Sequence, residues 1–190
     1  GQPYLGLASL TIHDDGAFGS TGDADGIADA GEVIALLPVL RNGGDAPSPA
    51  PAPLTLACGL AGVTLLDAAC SAPALAAGES GPADAPLLIG LDRDLADRTA
   101  ILFTLAGPGD ALCREDFTLE IAAPALAPGI LHWNDYPYGN GNGTIEANEV
   151  IRVWFDLRNG GWGGASGQSG WLDARTPGGS ITSAPTPSPV

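Results

Sequence analysis

The sequence contains no Met, no Lys and only two His, and no apolar run approaches the length a membrane helix needs, which is about 20 residues. Paired carboxylates are plentiful, as in any acidic chain, but no catalytic constellation is recognisable. Gly164-Ala165-Ser166-Gly167 brings its second glycine one residue too early for a nucleophile elbow. No glycine-rich phosphate cradle precedes a helix, and the chain is expected not to be an enzyme. Basic charge is scarce as well. Seven Arg face 22 Asp and Glu, for a net charge of −15. This argues against nucleic acid and anionic membrane as partners, since both require a basic face. The chain opens at Gly1 without a charged-then-apolar leader, so the expectation is a processed chain whose export signal is gone.

Cysteine is sparse, with Cys58, Cys70 and Cys113 alone. None has the spacing of a zinc ligand set. In an exported protein a pair is expected to oxidise. Cys58 with Cys70 is favoured, as residues of neighbouring strands across a short loop, with the other two pairings left open.

What is abundant is Gly (28) and Pro (17). Alanine is frequent too, but it sits among prolines, as in Pro47–Pro53, where a helix cannot propagate. Short apolar runs bounded by Gly, Pro, Asn and Asp read as an all-β protein. Strands are expected at Leu5–His13, Val33–Arg41, Leu54–Cys58, Val63–Leu66, Leu87–Leu91, Thr99–Leu105 and Phe117–Ile121. Seven strands at this spacing fit an antiparallel β-sandwich of the immunoglobulin-like class.

The chain repeats itself. Gly22–Ile34 (GDADGIADAGEVI) recurs as Gly139–Ile151 (GNGNGTIEANEVI), an offset of 117 that continues through the RNGG of 41–44 and 158–161. Upstream, Ile12-His13 pairs by similarity with Leu131-His132 at an offset of 119. Downstream, Gly62–Thr64 resembles 179–182. The expected organisation is one complete module at 1–122, a linker at 123–129, and a partial second module at 130–190. This last ends in the Pro/Ser/Thr-rich stretch Ser183–Val190, which reads as an extended stalk.

Asp23–Glu32, the strand ending in LRNGGDAP at 40–47, Ala76–Gly78 and Phe117–Ile121 together resemble the cell-adhesion-related immunoglobulin-like repeats of bacterial and archaeal surface proteins. That resemblance implies the sandwich fold and an extracellular location. It says little about a ligand, because one fold hosts many functions.

Two sets of residues stand out. Asp23, Asp25, Asp29 and Glu32 place carboxylates at positions one, three, seven and ten of a tight loop, with Gly26 for the turn and the Ile27 carbonyl as a further oxygen. Asp14 and Asp15 are candidates to complete the shell. Ca²⁺ takes six to eight oxygens at 2.3–2.6 Å, and four crowded carboxylates repel unless a cation intervenes. The competing reading is a solvated acidic turn held by Asx hydrogen bonds. The second copy offers Asn140, Asn142, Glu146 and Glu149, with Asp135 nearby. There a weak Ca²⁺ site and a plain Asn-Gly turn both remain open.

All four Trp lie in the second copy. Trp154 is expected to pack in the core. Trp133, Trp162 and Trp171 form a candidate surface for a protein interface or a glycan. A half sandwich leaves an apolar face and a strand edge without partners. The expected function is therefore an extracellular structural subunit that self-assembles by strand exchange or donor-strand contacts into a filament, stiffened by Ca²⁺. The alternative is a carbohydrate-binding or adhesive module of a larger secreted protein.

Overall fold

The structure is a computed structural model that describes residues 1–165. Trp171, the 179–182 segment and Ser183–Val190 lie outside the described residues. Two compact units divide the chain, Gly1–Ala123 and the part from Pro124 onward.

The first unit is an antiparallel β-sandwich built from β1 (Leu5–His13), β2 (Val33–Asn42), β3 (Ala52–Ala57), β4 (Val63–Asp67), β5 (Ala69–Ala72), β6 (Ser80–Pro82), β7 (Leu87–Leu91), β8 (Thr99–Ala106) and β9 (Arg114–Ile121). One sheet runs β1-β2-β7-β4, with β6 also on β2, and the other runs β5-β3-β8-β9. The first order follows A-B-E-D of an immunoglobulin sandwich, and β3-β8-β9 follows C-F-G.

Alternation along the strands builds the core. Leu87, Ile89 and Leu91 of β7 are buried, as are Ile101, Phe103 and Leu105 of β8 and Leu54 and Leu56 of β3. Ile34, Leu36 and Leu40 of the central strand β2 are fully buried among them. Each such side chain contributes about 1.5–3 kcal/mol relative to exposure. Phe117 stacks on Phe103 at 5.4 Å between ring centroids.

All seven expected strands are present. β5 and β6 were not expected from the sequence. Both are short and poor in β-branched residues, and Ser80–Pro82 is in strand because Val39–Arg41 of β2 offers it a backbone edge.

The expected Cys58–Cys70 disulfide is not formed, and all three cysteines are free thiols. Register supplies the reason. Cys70 pairs with Leu54, four residues before Cys58 on the neighbouring segment, which is about 13 Å at a rise of about 3.3 Å per residue. A disulfide requires Cα atoms within about 7 Å. Burial pushes the thiols of Cys70 and Cys113 up to about 11, so both are unreactive core residues. Reducing agent is therefore expected to leave the thermal unfolding midpoint unchanged. A thiol count of three in denaturant checks this.

The second unit contains the hairpin of β10 (Leu126–Asn134) and β11 (Arg152–Asn159). β10 occupies most of the stretch expected as a linker. The hairpin repeats β1–β2 pair for pair: Leu5↔Asn42 matches Leu126↔Asn159, Leu10↔Pro38 matches Leu131↔Phe155, and His13↔Ala35 matches Asn134↔Arg152. On β11 the offset is the expected 117, but on β10 it is 121. His132 is thus the counterpart of Thr11, and the 119-residue match of His13 with His132 is overturned.

Both hairpins are closed by the same asparagine. Asn42 Oδ1 accepts the N–H groups of Tyr4 and Gly44, and its Nδ2 donates to Ala46 O and Leu75 O. Asn159 Oδ1 accepts from Ala125 and Gly161, and its Nδ2 donates to Gly163 O.

The register also corrects the reading of Trp154. It stands at the position of Leu37, on the face opposite the core positions, and stacks on His132 at 5.5 Å and 12°. His132 Nε2 lies 3.2 Å from Asp156 Oδ2.

Candidate metal centre

The acidic loop joins β1 to β2. Within its acidic part, Asp23–Glu32, three residues turn the chain with positive φ, Ala24 (67°), Gly26 (80°) and Gly31 (97°). The far end of the loop is pinned to the close of β9, where Ala30 N–H donates to Ala122 O and Ala122 N–H donates to Ala28 O.

Within this frame the carboxylates converge. Asp14 is 2% exposed, and its Oδ2 accepts from Asp25 N–H at 3.0 Å while Gly26 N–H approaches both its oxygens at 3.3 Å. Glu32 closes the loop, its Oε1 accepting from Asp23 N–H and its Oε2 from Asp29 N–H, each at 3.1 Å. Asp23 Oδ1 and Asp25 Oδ1 make successive Asx turns to Asp25 N–H and Ile27 N–H.

One oxygen each from Asp14, Asp23 and Glu32 lie within 4.8 Å of one another, as do one each from Asp23, Asp25 and Asp29. Ligands about 2.4 Å from a common ion stand no more than about 4.8 Å apart, so this cluster could hold a metal ion. Hard oxygen donors without sulfur or imidazole suit an alkaline-earth cation rather than a soft metal.

Asp29 carries the clearest sign of imbalance. Its Oδ1 is buried without a hydrogen-bond partner. Burial, then the charges of Asp25, Asp23, Asp14 and Asp97, push its carboxyl from 3.8 up to about 6. Glu32 is raised as well, chiefly by burial, with the N–H groups of Asp29 and Asp23 opposing. A bound cation would reverse these shifts by favouring the charged forms.

The sign follows from linkage. Between about pH 4 and about pH 6 folded Asp29 retains a proton that the unfolded chain has released, so metal-free stability falls as pH rises through this window. Urea midpoints measured in chelator across that range are expected to decline, and cation is expected to remove the decline.

Sequence placed Asp23, Asp25, Asp29 and Glu32 correctly in one loop. Asp14 joins them, whereas Asp15 does not. Asp15 Oδ1 accepts from Ala17 N–H and lies 3.6 Å from His13 Nδ1. Ile27 enters as the N–H donor to Asp25.

The loop of the second unit repeats the Asx and glutamate bonds of the first. Glu149 accepts from Asn140 N–H and Glu146 N–H, Asn140 Oδ1 from Asn142 N–H, and Asn142 Oδ1 from Thr144 N–H. Gly141, Gly143 and Asn148 take the positive φ of Ala24, Gly26 and Gly31. Asp135, 4% exposed, stands in for Asp14 and accepts from Gly143 N–H at 2.9 Å.

The difference is chemical. Asn140 Nδ2 donates to Glu146 Oε2 at 2.6 Å, at the positions where the first loop sets Asp23 against Asp29. There an amide N–H meets a carboxylate, where the first loop sets two carboxylates together.

Of the aromatic candidates, Trp133 is 39% and Trp162 61% exposed, and Trp171 is outside the described residues. No protein-family model matches this chain, and no curated protein matches it.

Proposed function

We propose that the protein is an extracellular, non-enzymatic structural subunit that associates with further copies of itself through β10 and β11, and that its first acidic loop is stiffened by Ca²⁺. The single observation that carries this reading is the fate of equivalent residues. Leu5, Leu36 and Leu40 are fully buried in the first unit. Their register counterparts Leu126, Val153 and Leu157 line one face of a two-stranded sheet, and Leu157 is 57% exposed. Leu131, Trp133 and Phe155 share that face and are exposed as well.

The outer edge of β2 is paired by β7 and β6. The matching edge of β11 has no strand partner among the described residues. An apolar face beside an open edge invites strand addition from another chain. Such a contact is heterologous and, repeated, propagates a fibre. Sedimentation of the full chain over a concentration series tests the reading, and monomers throughout would count against it.

Trp162, on the loop after β11, supports a second reading as a glycan-binding or adhesive module of a larger secreted protein, since exposed indoles stack on sugar rings. Binding on a glycan array that Trp162→Ala abolishes would favour it.

A further inference from the structure

We infer that Asn140 is a deamidation site, and that its conversion to aspartate sets a second carboxylate beside Glu146 in the second loop. Four asparagines precede glycine: Asn42, Asn140, Asn142 and Asn159. In this reaction the nitrogen of the following residue attacks the asparagine Cγ, Nδ2 leaves as ammonia, and a succinimide forms. Water then opens the ring. Cleavage at Cγ gives aspartate, and cleavage at the backbone carbonyl gives isoaspartate. The net change is addition of one water and loss of one ammonia, with no other reactant. Glycine permits it because no side chain shields its nitrogen.

The structure separates the four sites. Gly43 N–H donates to Tyr4 O, Gly160 N–H to Ala125 O, and Gly143 N–H to Asp135 Oδ2. Each of these attacking nitrogens is held in place. Asn42 is moreover fully buried. Gly141 N–H donates to no carbonyl or carboxylate among the described residues, and Asn140 is exposed.

The same local bonds assist the chemistry. Asn142 N–H donates to Asn140 Oδ1 at 2.9 Å, which polarises Cγ and stabilises charge building on that oxygen. Glu146 Oε2 lies 2.6 Å from the departing nitrogen, within the distance at which a carboxyl group passes a proton.

The product loses the Asn140–Glu146 hydrogen bond, because two ionised carboxylates have no proton to share. In the aspartate product residues 140 and 146 present a carboxylate pair at the positions of Asp23 and Asp29 in the first loop.

The test incubates the full chain at mildly alkaline pH and follows fragment masses. Asn140 is expected to exchange NH₂ for OH several-fold faster than Asn42, Asn142 or Asn159. Equal rates at Asn140 and Asn159, or no conversion at Asn140, would overturn the assignment.

Discussion

Calcium at a hundredfold excess over its dissociation constant is expected to stabilise the first unit by about 2.7 kcal/mol, the amount mass action assigns to a ligand that binds only the folded state. For a unit of this size that is a rise in the unfolding midpoint on the order of 10 °C. The cause is the opposing arrangement of scaffold and charge. Glu32 and Asp14 use their oxygens to accept loop N–H groups, which holds the loop in shape while Asp23, Asp25 and Asp29 stay crowded within 4.8 Å.

Asp29→Asn separates this account from a simple acidic turn. It removes one charge from the cluster and places an amide beside Asp23, as Asn140 stands beside Glu146 in the second loop. In chelator the variant is expected to be at least as stable as the native chain, and in calcium to lose most of the gain. Magnesium is expected to do less, because it demands smaller, near-octahedral geometry and holds its waters. Calorimetric scans in chelator and in calcium would decide. A native midpoint indifferent to calcium, or an Asp29→Asn variant badly destabilised in chelator, would sink the idea.

Leu157→Asp is expected to weaken self-association of the full chain by roughly ten- to a hundredfold, the equivalent of about 1.4–3 kcal/mol. Leu157 occupies the register position of Leu40, which is fully buried, yet it is 57% exposed. An aspartate there sets a charge where an incoming apolar strand must dry the surface. Glu120→Gln, on the exposed side of β9 in the first unit, should leave association unchanged and serves as the control. Light scattering across a concentration series measures both. Equal association of Leu157→Asp and native chains would show that this face is not the contact.

Local chemistry explains which features could be read in advance. The acidic loop was legible because its bonds are short in sequence: an Asx side chain reaches the N–H two residues on, and Glu32 reaches back three and nine residues. Those reaches are set by residue type and spacing, so a gapless repeat of thirteen residues carries the geometry with it. The strands β2, β7 and β8 were legible because alternation of apolar residues faces one sheet surface toward the core.

Asp14 was harder. It sits outside the repeated segment, and its role is set by Asp25 and Gly26 folding back over it. The matching anchor, Asp135, lies only eight residues before its glycine, where Asp14 lies twelve before Gly26. That four-residue shortening hid the true alignment of β1 with β10 and made two histidines look equivalent. The disulfide failed for a similar reason, since a separation of twelve positions from Cys58 to Cys70 says nothing about which residue of β3 stands opposite Cys70.

By itself the sequence determined an all-β chain, a repeated acidic turn with its carboxylates at fixed spacing, and one buried stripe on β2. These depend on bonds and contacts whose range is a few residues. Tertiary structure alone decided the register of β10 against β11, the separation of the cysteines, the burial that raises Asp29, and which face of the second hairpin stands exposed. Each of those depends on what lies across a sheet or beyond its edge, where distance in space is not governed by distance along the chain.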